Sequence, residues 1–344
     1  MASHRVYKHS SAVTLWLFII MSLVIAIVVI GGATRLTNSG LSITEWRPVS
    51  GALPPFSAEA WQSEFDKYKL IEEFKAENPD MDLDGFKFIY LMEWGHRQFA
   101  RLIGLVYLIP LVLFLYTNRI KKDRRWRFIS IFLLICFQGY IGWWMVSSGV
   151  GTKLTDVSQY RLATHLGLAF IILALVYWTW RDQAREWTSP DVLPPYRKRT
   201  LVLALLVYIQ IIVGAFVAGS NAGYAYNTWP LMDGGLVPGG YFAMSPAWLN
   251  MFENTAAIQF NHRILAYIVT IVAVWVWWSV RKRAEKPLRR ATNWLMVAVI
   301  FQVILGIVAL LKVAELPYAL GHQAGAIVVF IFALWAMRAA RYRF

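Results

Sequence analysis

The chain has a single cysteine, Cys136, in 344 residues. That excludes an intrachain disulfide and any metal site built on cysteine thiolates. Its place in a long apolar run gives it the reading of a packing residue. Charge is scarce too: 16% of residues are charged, against 58% hydrophobic, with 17 tryptophans and a mean hydropathy of +0.47. So little charge cannot clothe a soluble surface, and the composition is that of an integral membrane protein. Also lacking are a small-residue cleavage site after the first apolar run and an Arg- and Ser-rich transit segment before it. The first run is therefore expected to be a true span, and a bacterial plasma (inner) membrane is the expected location.

What is present is a series of apolar runs near the roughly 20 residues that cross a bilayer. Eight spans are predicted, at 12–33, 89–117, 128–148, 161–180, 200–219, 257–280, 291–312 and 318–337. The net charge of +14 is unevenly distributed. The N-terminal tail, 118–127, 181–199, 281–290 and the tail from Arg338 hold 22 Lys/Arg against 5 Asp/Glu, leaving 12 and 15 for the rest. Basic loops alternating with neutral or acidic ones follow the positive-inside rule and put both termini in the cytoplasm. The basicity is topogenic, and no nucleic-acid partner is expected.

Spans 1–4 and 5–8 share spaced residues in the same order. Gly31, Asn38, Gly40 and Trp46 have the separations of Gly214, Asn221, Gly223 and Trp229. Glu93-Trp-Gly-His96-Arg97 matches Gln259-Phe-Asn-His262-Arg263, Phe137-Gln138-x-x-x-Gly142 matches Phe301-Gln302-x-x-x-Gly306, and His165 matches His322. Four matches in register indicate duplication. Both copies start on the same side, so the expected fold is all-α integral membrane, with eight transmembrane helices as two pseudo-two-fold related four-helix bundles. The first unit is 1–199, with a long outer loop at 34–88, and the second is 200–344. The stretch from Trp46 to His96 is 17 residues longer than that from Trp229 to His262. The excess lies in 57–86, which reads either as one or two amphipathic helices lidding the first unit or as a solvated loop.

Of the six histidines, His4 and His9 belong to a solvated tail. The other four, His96, His165, His262 and His322, all lie on even-numbered spans, within about two turns of the outer end and at a common depth. Each unit offers two histidines, no cysteine and at most one nearby carboxylate, too few for zinc. Heme needs two axial ligands across an apolar slot, which two facing helices can supply. Arg97 and Arg263 could meet heme propionates or phospholipid headgroups. Glu93 lies one turn before His96 on the same face. A carboxyl at this depth is a functional candidate, with an ion pair to Arg97 or Arg101 as the plainer role. Its counterpart is Gln259, so chemistry is expected in the first unit and electron transfer in the second.

These segments resemble the heme A synthase family, in its proteobacterial and mitochondrial branch. The resemblance rests on Gly31-Gly-Ala-Thr-Arg35-Leu-Thr-Asn-Ser-Gly-Leu-Ser-Ile-Thr-Glu-Trp46, Met92-Glu-Trp-Gly-His-Arg97, Asn227-Thr-Trp-Pro-Leu-Met-Asp-Gly234 and the Phe-Asn-His-Arg run ending at Arg263. It covers nearly the whole chain. Some members carry a cysteine pair in the first outer loop that this chain lacks, so no redox role of that pair transfers here. The resemblance implies conversion of heme O to heme A, the C8 methyl group becoming a formyl through successive hydroxylations and loss of water. It implies cofactor heme b in the second unit on His262 and His322, and substrate heme O in the first on His96 and His165. Glu93 would then stabilise positive charge at the reacting carbon or take up its proton. Implied partners are heme O synthase, cytochrome oxidase assembly factors and an electron-transfer partner that no residue identifies. Two other classes compete: a b-type cytochrome passing electrons from quinol, whose hemes would be spread across the bilayer, and a transporter with parallel repeats.

Overall fold

The structure is a computed structural model and describes residues 10–47, 50–184, 194–282 and 284–341. His4 and His9 lie outside the described residues. In chain order the helices are α1 (Ser11–Leu36), α2 (Ala58–Tyr68), α3 (Glu72–Glu77), α4 (Leu83–Tyr116), α5 (Arg125–Val146), α6 (Gln159–Ala184), α7 (Pro194–Gly219), α8 (Asn250–Glu253), α9 (Thr255–Val280), α10 (Lys286–Leu311) and α11 (Leu316–Ala339). Eight of these are long and apolar enough to cross a membrane. At about 1.5 Å per residue the 26-residue α1 is about 39 Å long, more than the hydrocarbon thickness.

All eight predicted spans are helices, and the main differences are early starts. The helix α4 begins at Leu83, six residues before the predicted span, because Asp82 accepts from the Gly85 N–H at 2.8 Å and caps it. Its first turns stand above the apolar run and carry Phe86, Ile89 and Tyr90 into the outer core. The helix α7 starts at Pro194, so the division between units at 199/200 falls inside its first turns. Asn254 caps α9, accepting from the N–H groups of Ala256 and Ala257.

Two closed rings of helices result. In the first, α1 packs on α4, α4 on α5, α5 on α6, and α6 back on α1; in the second, α7, α9, α10 and α11 repeat the same circuit. The rings meet where α6 packs on α7 and α1 on α11. In each case the last helix of one ring touches the first of the other. Asn38 and Asn221 end α1 and α7 in the left-handed region, at φ 48° and 56°, where asparagine is tolerated better than most residues.

The seam is tied at both rims. On the outer rim Arg35 Nη2 donates to Asp156 at 2.5 Å, to Asn221 Oδ1 at 2.9 Å and to the Ala218 carbonyl at 3.0 Å. At the opposite rim the buried Arg338 pairs with Asp182 at 2.7 Å. Between them, Gln323 of α11 donates to the Val28 carbonyl of α1 at 2.8 Å.

The long outer loop forms a helical lid and not a solvated loop. Ser57 caps α2 through the Ala60 N–H. Phe65, Tyr68 and Ile71 then pack with Phe86, Ile89 and Tyr90 of α4 and with Leu41, Ile43 and Val157. Met145, Val146 and Leu162 join from α5 and α6, so this cluster covers the outer end of the first ring alone. Cys136, expected to pack, is exposed on the outward face of α5. The small thiol sits on the lipid side, between the partly buried Ile135 and the exposed Phe137.

Candidate functional site

The four intramembrane histidines share one local arrangement. Each lies on an even-numbered span and presses its ring edge against a glycine of the preceding span. A Cβ built on Gly31 would lie 2.9 Å from His96 Cε1, one on Gly142 3.0 Å from His165 Cε1, one on Gly214 3.1 Å from His262 Cε1 and one on Gly306 2.8 Å from His322 Cε1. Any larger residue would displace the imidazole, so the repeated glycines are recesses that admit a ring.

Three of the four rings also meet a glutamine. The amide nitrogen of Gln138 lies 3.1 Å from His165 Nδ1 and donates to the His165 carbonyl at 2.9 Å. Gln210 stands 3.1 Å from His262 Nδ1 and 3.0 Å from its carbonyl, and Gln302 3.2 Å and 2.9 Å from those of His322. In every case the glutamine precedes the glycine by four residues and so shares its helix face. The first span carries Ile27 at that position, and His96 Nδ1 is buried with no hydrogen-bond partner among the described residues.

His262 and His322 face each other with ring centres 6.4 Å apart and planes at 80°. A metal–imidazole bond of about 2 Å on each side of one iron separates the ring centres by roughly 6 Å, so this pair fits a six-coordinate heme iron. Among the described residues no group of three or more His, Cys, Asp or Glu could hold a bare ion. His96 lies further from its helix start than the other three, because α4 is extended into the lid.

Glu93 is buried and fully engaged. Its Oε2 accepts from Ser42 Oγ at 2.7 Å and from the Ile43 N–H at 2.8 Å, and its Oε1 accepts from Arg97 Nη2 at 2.5 Å. The ion-pair role considered from the sequence is therefore present, with Arg97 as the partner. Arg97 also donates to the Ile43 carbonyl at 3.2 Å. The carboxylate thus ties the outer turn 42–43 to α4 one helical turn from His96. In the second half Gln259 donates to the Ala222 carbonyl at 2.9 Å, and Arg263 donates to Gln259 Oε1 at 3.1 Å and to the carbonyls of Tyr226 and Thr228 at 2.7 and 2.9 Å. The frame is the same; the charge is not.

Beneath the lid a cavity of about 360 Å³ is bordered by Arg47, Arg97, Arg101, Lys67, Glu45 and Glu64. The Lys67 ammonium bonds Glu64 at 2.9 Å and lies 3.2 Å from Glu45. The bond from Lys67, more than the nearby Arg47, holds the Glu45 carboxyl below its usual range. In the lid itself Glu73 is buried, and one of its oxygens has no hydrogen-bond partner among the described residues. Burial, reinforced by the charges of Asp156 and Glu77, pushes its carboxyl up to about 8.

Sequence reasoning had singled out all four histidines and Glu93, but missed Gln210, Ser42 and the Arg35–Asp156 tie. The Gln-x-x-x-Gly spacing, present three times, was the readable signal for Gln210.

Two closed rings of helices long and apolar enough to cross a membrane, each with a pair of glycine-backed histidines near one rim, define a polytopic membrane protein. The profile of the cytochrome oxidase assembly protein family, COX15-CtaA, matches residues 14–334. The heme A synthase of Parvibaculum lavamentivorans is 48% identical over 94% of this chain and 93% of its own length. That of Maricaulis maris is 48% identical over 96% and 97%, and that of Rhizobium rhizogenes 46% identical over 95% and 89%. The chain belongs to the COX15-CtaA family.

Proposed function

We propose that this protein is a heme A synthase, oxidising the C8 methyl group of heme O to a formyl group to make heme A for a terminal cytochrome oxidase. The observation that carries the reading is Glu93 standing where the otherwise matching second frame has Gln259, beneath a lid that only the first half possesses. Names of the similar proteins support it.

Two duplicated units, 1–199 and 200–344, divide the work. In the first, His96 and His165 hold the substrate heme O; in the second, His262 and His322 are the residues that would hold cofactor heme b. When bound, heme b supplies one-electron redox chemistry. His262 and His322 would hold it, and Gly214 and Gly306 leave room for their rings. Glu93 opposes positive charge developing at the reacting carbon and accepts its proton at a carboxylate oxygen, with Ser42 and the Ile43 N–H holding Oε2 and Arg97 holding Oε1 in place. The aromatic lid excludes water from the outer end of the first ring. The enzyme sits in the bacterial inner membrane with both termini cytoplasmic, and draws on heme O synthase, oxidase assembly factors and an electron-transfer partner.

The test is pigment chemistry. Purified from cells that make heme O, the protein should yield extractable heme A together with heme b; from cells without heme O it should yield heme b alone. Heme b without heme A under both conditions would favour a b-type cytochrome, and absence of any Soret band would remove both readings.

A further inference from the structure

The three glutamine–histidine pairs set one histidine apart. Glutamine and glycine four residues apart face the ring of His165 from α5, of His262 from α7 and of His322 from α10. At α1 the glycine remains as Gly31, but Ile27 replaces the amide and His96 Nδ1 is left buried without a hydrogen-bond partner among the described residues. The exception falls on one ligand of one half, so it is no general drift of the repeat.

A group bonded to Nδ1 matters because it selects which imidazole nitrogen is free for iron and fixes the ring's rotation. In the three pairs the glutamine nitrogen donates to the histidine carbonyl at 2.9–3.0 Å and stands 3.1–3.2 Å from Nδ1 of the same residue. Held at both points, the amide braces the rotation of the ring from the neighbouring helix. The fourth ring can gain no such bond from isoleucine.

Resting on the reading of both halves as heme sites, we infer that Gln138, Gln210 and Gln302 are positioning residues that make His165, His262 and His322 permanent axial ligands, and that His96 is the exchangeable one. A resident cofactor is thus gripped by two amide-held rings. A substrate that must enter and leave is gripped by one such ring and one that glycine packing alone restrains. Heme release and access of small ligands to iron are directed through the His96 side.

The test uses the purified, heme-loaded protein and two readouts other than turnover. Transfer of heme to apomyoglobin should show a fast phase from the first half and a slow phase from the second. Carbon monoxide added to the reduced protein should bind the first-half iron. Ile27→Gln is expected to slow the fast phase and suppress carbon monoxide binding by about tenfold, the lower end of what a hydrogen bond behind a ligand contributes. Gln210→Ile should accelerate the slow phase by a similar factor. Because Ile27→Gln puts an amide into an apolar helix, Gln138→Ile provides a second probe and should quicken the fast phase further. Unchanged phases and carbon monoxide binding in the heme-replete variants would overturn the exchangeable-ligand assignment while leaving the functional reading intact. A parent protein that takes up heme in neither half would overturn the functional reading itself.

Discussion

The imidazoles of His262 and His322 face one another at 6.4 Å between ring centres, with their planes crossed at 80°. The separation suits one iron between them, and crossed planes would leave its two orbitals of π symmetry nearly equal in energy. A heme held by this pair should therefore give a strongly anisotropic low-spin electron paramagnetic resonance signal. Replacing either His262 or His322 by alanine should remove that signal and most extractable heme b. Full retention of heme b in both variants would overturn the ligand assignment.

The glycine recesses supply a steric prediction. Gly306→Ala places a Cβ 2.8 Å from His322 Cε1, and Gly142→Ala places one 3.0 Å from His165 Cε1. Each should be destabilised by about 1–3 kcal/mol through overpacking and should lose the six-coordinate spectrum of its own half. A Cβ on Gly139, in the same helix as Gly142, would meet nothing within 4 Å, so Gly139→Ala should leave the spectrum untouched. Equal spectral effects at Gly139 and Gly142 would show that the recess is not what matters.

Glu93 offers two separable roles. Glu93→Gln keeps an acceptor for Ser42 and the Ile43 N–H but loses the charge, and it should lower heme A formation by about 10²-fold or more with heme b intact. Glu93→Ala should in addition free the 42–43 turn and expose the lid to limited proteolysis. If the glutamine variant made heme A at the parental rate, the carboxylate would be a structural tie only.

Eight helices were readable because apolar runs of membrane length are unmistakable in a chain so poor in charge. The candidate ligands were readable because duplication printed them twice. Gln210 escaped because its counterpart is Ile27, so comparing halves erased the signal that spacing within the helices retained. Ser42 and the Ile43 N–H escaped for a different reason: their contact with Glu93 joins residues about fifty positions apart through a backbone turn, which no side-chain pattern encodes. The lid was legible as an amphipathic stretch, but only the packed structure distinguished it from a solvated loop. Cys136 was misplaced because both lipid-facing and core-facing positions of a membrane helix are apolar, so hydropathy alone does not separate them.

Glu73 gives the lid a pH dependence of definite sign. Its folded-state value of about 8 lies above the ordinary 4.5, raised first by burial, then by Asp156, Glu77 and Glu93, and opposed by Arg35. The folded lid therefore keeps a proton that the unfolded chain releases, and stability should fall as pH rises from about 4.5 to about 8 before levelling. Thermal unfolding of the parent should show this loss between pH about 4.5 and about 8, and Glu73→Gln should flatten it. A parent and variant with parallel profiles would place the titrating group elsewhere.

Arg35 and Arg338 close the seam between the two rings at opposite rims, with Gln323 bridging α11 and α1 between them. Each tie joins a helix or loop of one ring to a helix of the other, so the two histidine pairs belong to one joined frame, and the spacing between them is set by how α1 and α6 pack on α11 and α7.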